Sequence, residues 1–146
     1  MSGADAPIVR VAITDADRAA AYAVRHDVFV VGQGVPPDLE RDALDTTADH
    51  VVAVAAGRVV GAGRLVVEGA TGVLGRLAVV ETARGTGLGI AMVGLIEETA
   101  RRRGCREVEL HAQVPVRAFY ERLGYAAEGD EYDEAGIPHI TMRRIV

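Results

Sequence analysis

Between the apolar run Val73–Val80 and an amphipathic segment beginning at Leu88 lies Arg84-Gly85-Thr86-Gly87-Leu88-Gly89, a glycine-rich turn joining a strand directly to a helix. That junction narrows the folds open to the chain, because the first N–H groups of a helix have no intrahelical partner and the macrodipole puts roughly half a positive charge there. An anion docks readily at such an end. Glycine lets the main chain approach it closely. The turn is read as a cradle for a pyrophosphate.

What the chain lacks decides between cradles. All 16 basic residues are arginine, so the Walker pattern, whose lysine reaches the β and γ phosphates, is not met. A dinucleotide fold requires G-x-G-x-x-G, whereas Gly85-x-Gly87 continues to Ile90 and Gly87-x-Gly89 to Met92 at the third glycine's position. What remains is Arg84-x-x-Gly87-x-Gly89 between strand and helix. It resembles the acetyl-CoA pyrophosphate loop of the GNAT superfamily of N-acetyltransferases; a glycine-rich connection without a ligand is the alternative.

A second segment, Ala118-Phe119-Tyr120-Glu121-Arg122-Leu123-Gly124-Tyr125, matches the A-x-F-Y-x-x-x-G-[FY] signature that follows the loop in this superfamily. Val28-Phe29-Val30-Val31-Gly32-Gln33, Gly75-Arg76, His111-Ala112-Gln113 and Glu134–Ile140 resemble the small ElaA-like branch, so the similarity extends over nearly the whole chain. One departure stands out: the branch usually has Glu where this chain has Gly32. The resemblance implies an α/β (α+β) fold, a mixed, centrally antiparallel twisted sheet of about six to seven strands flanked by about four helices. It also implies acetyl-CoA as co-substrate and a primary amine as acceptor. By analogy, a homodimer is one arrangement open to the chain.

Composition bounds the rest. A chain of 146 residues fits one domain over 1–146, burying about 68–70% of its unfolded surface. The net charge of −5 and a pI near 5.3 repel phosphate backbones and anionic lipid, so neither nucleic acid nor membrane is expected as a partner. The lone Cys105 allows no internal disulfide, and no N-terminal apolar stretch reads as a signal or span, giving a cytoplasmic expectation. His26, His50, His111 and His139 lack metal-ligand spacing, so no metal is expected. Ser2, the only serine, is too near the terminus for a hydrolase triad.

Along the chain, Ile8–Ile13 reads as a strand and Thr14 with Asp17 as a capping box for a helix ending near Phe29. Gly32–Asp49 reads as a long loop. Val51–Ala56 and Val59–Val67 form a hairpin over Gly57-Arg58, read as type II′, and Val73–Val80 makes a third strand. Leu88, Ala91, Met92, Leu95, Ile96 and Ala100 recur at helical spacing, with Glu97–Arg101 and Glu98–Arg102 as i,i+4 pairs and Gly104 as terminator. A strand at Val108–Ala112, a helix from Pro115 to Gly124 and strands near Tyr125–Asp130 and His139–Arg144 follow.

Moving an acyl group from a thioester to an amine demands a neutral nucleophile, donors for the developing oxyanion and a proton for the leaving thiolate. An alkyl amine of pKa about 10.4 is neutral in roughly one molecule in 2,500 at pH 7. By resemblance, Tyr120 is the general acid at the thioester sulfur. Also by resemblance, the main chain of Leu77, Ala78 and Val79 supplies oxyanion donors and pairs with the pantetheine arm, while Arg84, Gly85, Thr86, Gly87, Leu88 and Gly89 hold the diphosphate. His111 and His139 are candidate bases, histidine titrating nearest neutrality, with Glu128 and Glu134 in the same region. Gln33 and Gln113 are candidates for hydrogen bonds to cofactor or acceptor. Acids crowd Asp38–Asp49 and Glu128–Glu134, either as solvated faces or as a funnel for a cationic amine. A silent acetyl-CoA sensor, to which Gly32 lends weight, is the rival function.

Overall fold

A computed structural model describes residues 6–146; Ser2 lies outside the described residues. The sheet has seven strands in the order β1-β2-β3-β4-β5-β7-β6: β1 Ile8–Val11, β2 Asp49–Ala55, β3 Arg58–Glu68, β4 Thr71–Val79, β5 Glu107–Gln113, β6 Ala126–Glu134 and β7 Ile137–Ile145. Among the described residues only β4 and β5 run parallel, and every other pairing is antiparallel. The crossover between them is α3, Leu88–Arg102. The remaining helices are α1 Asp15–Arg25, α2 Pro37–Glu40 and α4 Arg117–Arg122.

The two faces are packed by different helices. Val51, Leu65, Leu74, Val108, Leu110 and Met142 join Met92 and Ile96 of α3 in the larger core. Val52, Ala62 and Ala78 meet Ala21 and Val24 of α1 on the opposite face. On α3, Glu98 and Arg102 pair as the spacing predicts, and Gly104 takes φ 82°. Glu97 does not pair with Arg101: it is buried, accepting from the Tyr125 hydroxyl at 2.9 Å and from Arg144 at 2.8 Å.

Several local expectations change. Thr14 Oγ1 accepts from the Asp17 N–H at 3.1 Å, but the Asp17 carboxylate pairs with Arg10 at 2.9 and 3.0 Å instead of closing the box. The helical run ends at Val31, beside the expected Phe29, but its last stretch, His26–Val31, is a π turn that continues α1. The β2–β3 turn is Ala56-Gly57, with φ 50° and 73°; positive φ at both residues makes it type I′, not the expected II′ at Gly57-Arg58. Pro115 belongs to a 3₁₀ turn, Val114–Val116, ahead of α4. The stretch 32–49 holds α2 and a 3₁₀ turn at Ala43–Thr46, in which Asp42 and Asp45 cap each other's main chain. No described helix is long and apolar enough to cross a membrane.

Candidate active site

β4 and β5 pair over four rungs only, Thr71–Leu74 against Glu107–Leu110. Beyond them the strands part. The cause lies in β4, where the register against β3 slips between Ala62 and Arg64 and Arg76 takes φ +53°, a bulge that turns the strand. Gly75–Val79 therefore keeps β3 on one side and has no strand on the other. A notch opens there between Leu77, Ala78 and Val79 and the end of β5.

At the notch, β4 leads through the 3₁₀ turn Glu81–Ala83 into the glycine loop. Gly85 and Gly87 adopt φ 76° and 82°, conformations costly to any other residue, and Gly87 is the N-cap of α3 without a side-chain cap. The first turn closes with Ala91 N–H on the Gly87 carbonyl at 3.1 Å. Among the described residues, the main-chain N–H groups of Gly85 through Ile90 donate to no protein acceptor. Side chains brace the loop from outside: Arg84 Nε donates to the Val79 carbonyl at 2.9 Å and Thr86 Oγ1 to that of Ala83 at 2.7 Å. A Cβ at Gly89 would meet the Phe119 ring at 3.4 Å, so α4 lies against the start of α3. The loop fits a diphosphate in donors, charge and clearance.

Phe119 holds its neighbour in place. The Tyr120 ring packs edge-on against Phe119 and Tyr125, with centroids 5.0 and 5.9 Å apart, and is 7% exposed. Burial pushes its phenol pKa up. No sealed polar side-chain atom among the described residues lacks a hydrogen bond. The Tyr120 hydroxyl has no such bond to any described residue, so it retains access to solvent rather than ending in the core.

The face opposite α3 carries the acceptor-side candidates. Gln33 and Gln113 exchange amide hydrogen bonds at 2.8 and 3.2 Å, tying the end of the π turn to the end of β5. Gln113 stands opposite His139 in register, and His111 opposite Thr141. His111 Nδ1 bonds the Tyr132 hydroxyl and its Nε2 faces Glu109 Oε2 at 3.1 Å. His139 is buried: Nδ1 donates to the Ile137 carbonyl at 2.6 Å and the ring stacks on Tyr132. Its Nε2 faces Glu134 Oε2 at 3.5 Å. Tyr132, Glu109 and Arg143 were not singled out from sequence; alternation along β5 puts Glu109 on the face of His111, but only the pairing of β7 with β5 and of β6 with β7 brings Arg143 and Tyr132 to it.

Most of the first acidic cluster is tied to arginines, while Asp38 stays exposed. Arg25, fully buried, donates to Glu40 at 2.7 Å and to Asp45 at 2.7 and 3.0 Å. Arg64 donates to Asp42 and Asp45, each at 2.8 Å. The bulge residue Arg76 caps α2 through the Glu40 carbonyl at 3.0 Å and reaches Asp42 at 3.3 Å. Asp49 pairs with Arg103 at 2.6 Å, and in the second cluster Glu128 is held by Arg143 at 2.8 Å. These charges anchor the segment after the π turn onto β3 and β4, and so fix where Gln33 stands.

The family described as "Acetyltransferase (GNAT) domain" matches residues 16–146. The chain belongs to this family. The uncharacterized N-acetyltransferase YjcF of Bacillus subtilis is 34% identical to it over 125 residues, covering 85% of this chain and 89% of YjcF. Crystal structures of an acyl-CoA N-acyltransferase from Pseudomonas aeruginosa and of Escherichia coli ElaA both superpose at TM-score 0.83, with 32% and 26% identity. Each covers 95% of this chain, which in turn covers 98% and 99% of theirs. The expected fold and the ElaA resemblance are both found.

Gly32, the departure from the branch pattern, has a steric basis in this GNAT chain. A Cβ there would lie 2.5 Å from the Val28 carbonyl oxygen, a separation real side chains do not tolerate. Gly32→Glu is therefore expected to destabilise the protein by about 1–3 kcal/mol, as over-packing does. Urea denaturation checks this: a midpoint equal to the parent's would mean that the π turn relaxes freely.

Proposed function

We propose that the protein transfers an acetyl group from acetyl-CoA to a primary amine of a small molecule or peptide, by direct attack within a ternary complex. The observation that carries this reading is the run of unpartnered main-chain donors from Gly85 to Ile90 at the mouth of α3, opening beside the one-sided edge of β4. Membership of the GNAT family supports acyl-CoA as the donor. Acetyl-CoA supplies an acetyl group activated as a thioester.

The chain's own residues divide the work. Gly85–Gly89, with Arg84 and Thr86 bracing the loop, hold the diphosphate through N–H groups and the helix dipole. Leu77, Ala78 and Val79 offer main-chain groups along the notch in the manner of strand addition, where side-chain identity matters little. Main-chain N–H groups on that edge are pre-positioned for charge growing on the thioester carbonyl oxygen. Tyr120, kept protonated by burial, donates to the departing sulfur. The amine enters from the face of Gln33, Gln113 and His111.

Gly87→Val combined with Gly89→Leu forces a positive-φ position and crowds Phe119, so acetyl-CoA affinity is expected to fall at least about 100-fold while the fold persists, the lost contacts being charge-assisted. Calorimetry reads the affinity; undiminished binding would overturn the cradle. A thiol-release assay over an amine panel then separates enzyme from sensor. The absence of a carboxylate at Gly32 favours the sensor as second reading, and a sensor binds acetyl-CoA yet releases no thiol with any amine.

A further inference from the structure

The polar cluster on the face opposite α3 is joined into a chain. Glu109 receives Arg143 Nη2 at 2.7 Å and faces His111 Nε2 at 3.1 Å, while His111 Nδ1 meets the Tyr132 hydroxyl, to which Thr141 Oγ1 also donates at 3.4 Å. Glu109 accepts from the Arg143 guanidinium through one oxygen and faces Nε2 with the other, so the ring proton belongs on Nε2. Nδ1 is then a lone pair facing a phenol. Both ring nitrogens are engaged, so the imidazole reaches a substrate only through Tyr132.

This chain of groups sits where an amine would arrive. Leu110 is the last β5 residue paired with β4, so His111 is the first beyond the point of divergence. The diphosphate loop begins α3, which packs on the face of Val108 and Leu110, and the side chains of Glu109 and His111 alternate onto the other face. A thioester and an amine approaching from opposite faces meet through the notch.

We infer that Tyr132, His111 and Glu109 form the proton relay that makes the acceptor amine nucleophilic; this rests on the acetyltransferase reading above. An N–H proton of the ammonium passes to the Tyr132 oxygen as the Tyr132 hydroxyl proton passes to His111 Nδ1. The products are a neutral amine, an intact phenol and an imidazolium whose Nε2–H faces the Glu109 carboxylate. Tyr132 is the group that touches the acceptor. His111 stores the proton, and Glu109, fixed by Arg143, sets the tautomer. Glu107, Glu128, Glu134 and His139 complete the titratable surroundings; Glu107 and Glu128 are bound to Arg143 at 3.0 and 2.8 Å, and Glu134 lies 3.5 Å from His139. The logic is that of a hydroxyl, imidazole and carboxylate acting in series.

The test compares two nucleophiles in the thiol-release assay: an alkylamine from the panel, cationic at assay pH, and hydroxylamine, already neutral. Tyr132→Phe and His111→Gln are expected to lower kcat/KM for the alkylamine by about 100-fold or more, and for hydroxylamine by less than about tenfold, general-base catalysis contributing on this order. Acetyl-CoA affinity and Tm are measured alongside, and Glu109→Gln provides a milder variant that keeps shape. Equal losses with both nucleophiles, or no loss with either, would overturn the relay. If the parent protein itself releases no thiol with any alkylamine, the acetyltransferase reading fails first and the relay with it.

Discussion

Tyr120→Phe is expected to retain acetyl-CoA affinity and lose roughly 10²–10⁴-fold in kcat, the span usual for removing a general acid. The ring's contacts are edge-on aromatic pairs with Phe119 and Tyr125, which phenylalanine preserves, so the substitution deletes the hydroxyl and little else. That hydroxyl bonds no described protein group, and burial raises its pKa. It therefore stays protonated and uncommitted until something arrives to accept from it. Steady-state thiol release with saturating acetyl-CoA reads kcat, and calorimetry reads the affinity. Unchanged turnover would remove Tyr120 from the mechanism.

Asp45→Asn is expected to cost about 3–5 kcal/mol, the usual penalty for breaking a buried ion pair from one side, lowering Tm by on the order of 10 °C. Asp45 is 7% exposed and is shared by Arg25 and Arg64. Removing its charge leaves the fully buried Arg25 with Glu40 alone. Burial by itself would raise the Asp45 pKa, but hydrogen bonds from Arg25 and Arg64 reverse this and hold the carboxyl well below the usual carboxylate range. Asp42 is lowered too, mainly by Arg64. A depressed native pKa contributes stability that is full above the unfolded value near about 3.9 and is lost as pH falls through the native one. The parent should thus weaken steeply below about pH 4, and the variant should show a shallower acid limb. Urea titrations at several pH values measure both; a loss under about 1 kcal/mol would mean that the network contributes little.

Legibility followed the range of the interaction. The glycine loop and α3 could be read because their causes are local: positive φ, helical spacing, a cap and a terminator. Type I′ geometry at Ala56-Gly57 could not be read, since nothing in alanine announces a left-handed conformation. Glu97 was misassigned to the surface although it follows Val93 by four residues and precedes Ala100 by three, which sets it on the buried face; its partners Tyr125 and Arg144 come from distant strands. The acids of 38–49 looked alike in sequence. Their separation into anchors depended on Arg25, Arg64 and Arg76, whose approach only the folded sheet creates. Gln33 and Gln113 follow from resemblance, and His111 and His139 from their titration range and expected place beside the cleft; the structure gathers the four on one face. Tyr132, the residue that links two of them, became visible only with the register of β6 on β7.

A sheet edge with unsatisfied main-chain groups ordinarily invites a neighbour's strand and, with it, aggregation. In this protein the bare edge of β4 is recessed in a wedge whose apex is sewn shut by the rungs from Thr71 to Leu74. Such a wedge favours a slender, unbranched guest over a second polypeptide with side chains on both flanks, so the same bend that creates the opening also guards it against promiscuous self-association.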